Sequence, residues 1–213
     1  GKGKVKISGA SPSFSFSYPS VITLYAILNA DEKVNIGGWR IKTKREEIIM
    51  PQAIEVYEPS GLAPSQDITL KYGDYVYLYS SKSSISRNFK TNKCMGYLEN
   101  TYRFQPPLTT SCPALYRSRS DIVDFTSRCQ DYITSLSSCV EPSPAPPVPV
   151  DDTACRDFLR QVNYGGCFNK YSKDADFLSR EWKIYLNLNP LDPSHDRIQL
   201  INKSGTVVDE YVY

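Results

Sequence analysis

Apolar positions along the chain follow one period at its two ends and another in its middle. Residues 21–28 (VITLYAIL) form an apolar run rich in β-branched and aromatic side chains, and the polar turn 29–33 stops it, which predicts a buried strand. Residues 34–42 (VNIGGWRIK) alternate around Val34, Ile36, Trp39 and Ile41, with Gly37-Gly38 marking a bulge or tight bend. Further strands are predicted at 54–57, 67–70 and 75–79, and the last of these alternates tyrosine with aliphatic residues. Near the C-terminus, 181–186 alternates again. Residues 197–201 and 206–213 then form a hairpin around 202–205, with Gly205 at the position that takes a positive φ.

Between these strands the period lengthens. Ile122, Val123, Phe125, Cys129, Ile133 and Leu136 recur at three- and four-residue steps, predicting a helix of about five turns over 120–139, capped by Ser120-Asp121. Residues 141–151 (EPSPAPPVPVD) contain five prolines and form a stiff, extended connector. A second helix is predicted over 152–164, with Cys155, Phe158, Leu159 and Val162 on one face and Gly165-Gly166 ending it. The organisation is therefore a β-rich part, 1–90 and 180–213, carrying an insertion at 91–179 with two helices.

The strand motifs, in their order, resemble those of the lamin-tail domain, an immunoglobulin-like β-sandwich found at the C-termini of nuclear lamins and on many bacterial extracellular proteins. The resemblance rests on Val34 to Ile41 with its Gly-Trp step, on Leu70-Lys71-Tyr72-Gly73-Asp74-Tyr75-Val76, and on the closing hairpin from Asp196 through Gly205 to Tyr213. It implies a mainly β fold with an interaction function. It does not extend to 91–179, where all six cysteines lie. Trp39 and Trp182 are expected in the sandwich core.

Composition narrows the function. Lys+Arg 25 against Asp+Glu 23 leaves a net charge of +2, which argues against electrostatic binding of nucleic acid, although lamin-tail relatives have been linked to chromatin. No apolar run reaches transmembrane length. The start at Gly1 without methionine and the strand running to Tyr213 suggest a piece of a longer protein.

Six cysteines without a Cys-x-x-Cys pair, beside a single histidine, argue for disulfides over zinc and for an extracellular or cell-surface location. Two antiparallel helices would place Cys139 beside Cys155 and Cys129 beside Cys167, leaving Cys94 to pair with Cys112. The local alternative, Cys129–Cys139 and Cys155–Cys167, requires a broken helix, because ten residues of helix rise about 15 Å.

Few groups offer catalytic chemistry. His195 beside Asp192 and Asp196 lacks a nucleophile motif and reads as a solvated loop. Asp67, Asp74, Asp192 and Asp196 lack the spacing of a known calcium loop. No cofactor motif is present. Asn202-Lys203-Ser204 is a glycosylation sequon at a hairpin turn.

Two segments are candidates for contact with partners. Tyr75, Tyr77 and Tyr79 share one strand face, which is either packed under other parts of the protein or exposed as an aromatic platform. Phe14, Phe16 and Tyr18 alternate in an N-terminal segment that is either the first strand or an arm completing a neighbour's sheet. The expected function is a non-enzymatic, extracellular structural or adhesive domain binding a protein or glycan. The alternatives are a self-assembling subunit of a filament or surface layer and an accessory domain of a larger secreted hydrolase.

Overall fold

A computed structural model of the chain describes residues 3–13 and 18–213. Phe14 and Phe16 of the suggested arm lie outside the described residues, and Tyr18 is exposed. Among the described residues there are eleven strands, and the protein is mainly β. They are β1 (Val5–Ser11), β2 (Val21–Ala26), β3 (Val34–Asn35), β4 (Arg40–Lys42), β5 (Glu47–Ile49) and β6 (Thr69–Leu70). After them come β7 (Tyr75–Tyr79), β8 (Phe89–Asn92), β9 (Leu178–Tyr185), β10 (Arg197–Ile201) and β11 (Val207–Val212). One sheet has the order β1-β2-β7-β9-β8, a second β11-β10-β4-β5, and β3 pairs with β6.

The chain divides into two compact units. The first comprises 1–91, 104–106 and 178–213, and the second 92–103 and 107–177. In the first unit the alternation of β2 buries Ile22, Leu24 and Ala26 and turns Val21, Thr23 and Tyr25 the other way. Val76 and Leu78 of β7 and Trp182 and Ile184 of β9 face the same interior, where they meet Ile41, Ile198, Leu200 and Val208 from the second sheet in one hydrophobic cluster. Burial of each such side chain contributes about 1.5–3 kcal/mol, so a cluster of this size dominates the unit's stability. β7 and β9 run parallel, with Val76 beside Trp182 and Leu78 beside Ile184.

Several local expectations change in detail. The run 34–42 is two strands, because the chain turns at Gly38, where φ is +73° and the Trp39 N–H reaches the Ile36 carbonyl at 3.1 Å. Its first half therefore pairs with β6 and its second with β5 and β10. The run 54–57 forms no strand. Only isolated bridges occur there, Ala53 to Gln66 and Ile54 to Phe89. The closing hairpin turns with Gly205 at φ +84°, and a bulge follows Leu200.

The second unit departs further from the helical expectation. In place of a helix over 120–139 there is a 3₁₀ turn at Arg119–Ile122 and then a short helix α1 (Ser127–Ser135). Leu136 is already extended, and Cys139 adopts a left-handed φ of +61°, so Cys139 lies on a turn. Residues 152–164 likewise hold only α2 (Thr153–Arg160), and Gly165-Gly166 do not end it. They belong to a third helix, α3 (Tyr164–Tyr171), capped by the Asn163 side chain accepting from the Gly166 N–H.

The disulfides are Cys94–Cys167, Cys112–Cys139 and Cys129–Cys155, which corrects each of the three expected pairs. Cys129 and Cys155 both sit in first helical turns, and the capping residues meet there: Thr126 donates its hydroxyl to Asp152 Oδ2 at 2.6 Å. The helices thus join start to start, not side by side along their length. Cys167 is carried away by α3 to Cys94, and the turn at Cys139 delivers that residue to Cys112. Ile122, Ile133, Val148 and Leu159 pack around the Cys129–Cys155 bridge, so the proline-rich connector contributes Val148 to this small core.

Close packing leaves no room for a side chain at Gly166. A Cβ on Gly166 would lie 1.9 Å from the Gln161 carbonyl oxygen, a backbone atom that cannot swing aside. Gly166→Ala should therefore cost about 1–3 kcal/mol through overpacking. Thermal unfolding followed through the second unit should register the loss, and an unchanged midpoint would refute it.

Candidate functional site

The candidate site is the face of the five-stranded sheet that points away from the core. Strand pairing aligns Tyr25, Tyr75 and Glu181 in one row across β2, β7 and β9, and Thr23, Tyr77 and Lys183 in the next. Val21, Tyr79 and Tyr185 form the third row. Because side chains alternate along a strand, the residues that bury Val76, Leu78, Trp182 and Ile184 inward necessarily turn these ones outward.

The tyrosines form a ladder. Tyr25 and Tyr75 have ring centroids 4.6 Å apart, Tyr75 and Tyr77 stack at 6.0 Å, and Tyr77 and Tyr79 stack at 6.1 Å. The Lys183 ammonium sits 4.3 Å from the Tyr77 ring centre and 5.6 Å from that of Tyr79. It also lies 3.2 Å from the Tyr79 hydroxyl and 3.0 Å from Glu181 Oε2. Tyr75 and Tyr77 are half-buried, whereas Tyr79 is buried at 6% exposure. The ladder is thus graded from an accessible end to a covered one. The Arg180 guanidinium lies 5.7 Å from the half-exposed Tyr72 ring.

Burial, and then the Glu181 carboxylate, raise the phenol pKa values of Tyr77 and Tyr79, while Lys183 partly opposes this at Tyr77. Both rings therefore remain neutral hydrogen-bond donors at ordinary pH. A raised folded-state pKa means that the unfolded chain releases these protons first as pH rises through its ordinary value of about 10. Stability is accordingly present below that pH and declines above it. Phenolate absorbance should show a late-titrating class among the 16 tyrosines, and Glu181→Gln should move that class to lower pH. A single class at the ordinary value would refute the arrangement.

The sequence alone does not single out Tyr25, Glu181 and Lys183. The alternation of 21–26 and 181–186 carries the signal, but which strands adjoin β7 is decided only by the fold. The other suggested groups do not join this site. His195 is exposed in a loop, where Asp192 Oδ1 accepts from the backbone N–H of Ser194 and of His195 and from the Ser194 hydroxyl. Those bonds, the Ser194 amide first, hold the Asp192 carboxyl far below its ordinary pKa.

Asp196 is buried and accepts the backbone N–H groups of Lys44, Asp192 and Arg197, which makes it a clamp for this loop. Asp67 accepts from Gln52, and Asp74 is engaged by Lys90. Among the described residues, Cys129, Asp152 and Cys155 bring potential metal-ligand atoms together, but the two sulfurs are bonded to each other. Asn202 Oδ1 accepts from the Ser204 and Thr206 backbones and holds the hairpin turn.

The second unit has a concavity of its own, a cleft of about 340 Å³ between residues 113–115 and helices α2 and α3. Leu115, Phe158, Val162 and Tyr171 give it apolar walls, with Gln161, Asn169 and Lys170 as polar lining. Comparison of the chain with protein-family models and with curated proteins gives no match.

Proposed function

We propose that this chain is a non-enzymatic interaction module working outside the cell. In this reading an immunoglobulin-like β-sandwich of lamin-tail type presents the tyrosine face to a protein or glycan partner, while the disulfide-linked unit adds a second, rigid surface. Three disulfides suit an oxidising environment, and no helix among the described residues is long and apolar enough to cross a membrane. The sandwich reading draws on the two sheets contributing to one hydrophobic cluster.

The observation that carries the functional reading is the accessible end of the ladder. Tyr75 and Tyr77 combine aromatic area with neutral hydroxyl donors, and tyrosine is enriched where proteins meet partners; the neighbouring Lys183–Glu181 pair adds polar groups beside them. Wild-type protein and Tyr75→Ala/Tyr77→Ala should be compared on a glycan array and by sedimentation velocity over a wide concentration range. Expected is glycan retention that falls about tenfold in the variant, equivalent to about 1.4 kcal/mol. Equal retention by the two proteins would overturn the assignment of this face. Concentration-dependent assembly of the wild type that the variant loses would redirect the reading to the self-assembling subunit.

A further inference from the structure

Among the described residues, one ion pair has both side chains withdrawn from solvent: Lys90 and Asp74, 4% and 2% exposed. Asp74 immediately precedes β7, Lys90 is the second residue of β8, and β9 lies between them in the sheet. The Lys90 ammonium is 3.0 Å from Asp74 Oδ2 and 3.2 Å from Oδ1, and 5.1 Å from the centre of the Trp182 ring. It is within hydrogen-bond distance of both carboxylate oxygens, the two groups being held at contact. Oδ2 also accepts the Lys71 backbone N–H at 3.0 Å and the Trp182 Nε1–H at 3.4 Å.

The geometry points to a covalent modification site: an amide bond formed by the folded protein between Lys90 Nζ and Asp74 Cγ. One proton passes from Nζ to Oδ1, turning two buried charges into an amine and a carboxylic acid. The nitrogen lone pair then adds to Cγ, and the charge that develops on Oδ2 is met by the Lys71 N–H, already in place at 3.0 Å, with the Trp182 Nε1–H more distant at 3.4 Å. Collapse of this tetrahedral centre expels Oδ1, which takes a second proton from nitrogen and leaves as water. An ammonium and a carboxylate become an amide and one water. No oxidant or other reactant is consumed.

Two physical effects favour the step. Fixed partners held at contact react with effective molarities on the order of 10⁵–10⁸ M. A buried ion pair carries a desolvation cost that its mutual attraction only partly offsets, and the amide removes both charges. The exposed pairs Lys93–Asp174 and Arg160–Asp157 lack this pressure, because water solvates them. The bond would fasten β7 to β8 across β9, close to the tyrosine face but independent of what that face binds.

Intact mass of the folded chain, after its disulfides are reduced and alkylated, tests the proposal. Expected is a mass one water below that calculated for the sequence with its six cysteines alkylated. Trypsin should fail to cut after Lys90, and fragmentation should find residues 72–82 joined to 88–93. Lys90→Arg should show the full mass calculated for its own alkylated sequence. A wild-type mass equal to that calculated for the alkylated sequence, normal cleavage after Lys90, or a water lost elsewhere without the branched peptide would each overturn it.

Discussion

Trp182→Ala should destabilise the protein by about 3–5 kcal/mol in urea unfolding, the range for removing a large aromatic side chain from a packed core. Trp182 is 1% exposed on the inner face of β9, within the cluster to which both sheets contribute. Its loss opens a cavity in the middle of the first unit. It also removes a hydrogen-bond donor from the buried Asp74 carboxyl and the aromatic face beneath Lys90. Against a total stability typically of about 5–15 kcal/mol, this one substitution takes a large share. Trp182→Phe keeps much of the packing and loses the indole N–H, so it should cost clearly less. A loss below about 1 kcal/mol for the alanine variant would mean that this region relaxes around the cavity.

The second large effect concerns the cysteines. Loops of 26, 27 and 73 residues closed by the three bridges correspond, on the chain-entropy estimate, to about 3.5, 3.5 and 4.5 kcal/mol. The apolar cluster around Cys129–Cys155 is small, with Ile122, Ile133, Val148 and Leu159 as its buried aliphatic members, and the helices are eight or nine residues long. Helices of that length are not stable alone. Cys129→Ser/Cys155→Ser should therefore unfold the surroundings of α1 and α2. Full reduction should leave 107–177 without amide protection, while β2, β7 and β9, which carry no cysteine, retain theirs. Hydrogen exchange with and without reductant reads both outcomes. Persistent protection of α1 and α2 after reduction would show that packing, not cross-linking, holds them.

The redox result and the mass measurement answer separate questions. Reduction reports on the second unit alone, because every disulfide lies inside it. The Lys90–Asp74 amide would survive reductant and denaturant. A chain that keeps its tight sheet while its helical unit opens would combine one reversible and one irreversible form of cross-linking.

Much of the β structure was legible because strands declare themselves locally. The alternation of 21–26, 75–79 and 181–185 assigns each residue to one side of a sheet whatever the neighbours are, and Gly205 marks its turn because few other residues adopt φ near +84°. Placing Tyr75, Tyr77 and Tyr79 along one face followed from the same period of two. That Lys183 and Glu181 would flank them did not, because parallel pairing of β7 with β9 joins segments about a hundred residues apart, and periodicity carries no information about partners.

The cysteines mark where sequence reasoning stops. Their number and spacing determined that they are bridged, but the pairing depends on where helices end. The apolar spacing of 120–139 continues past Ser135, while the backbone leaves the helix at Leu136 and turns at Cys139, a left-handed position taken by a residue with a side chain. Tertiary packing settled this, through the meeting of two helix starts at Thr126 and Asp152. The meeting of Asp74 with Lys90 is of the same kind. Each residue is ordinary in its own stretch of sequence, and only the order of strands in the sheet brings the carboxylate and the amine together away from water.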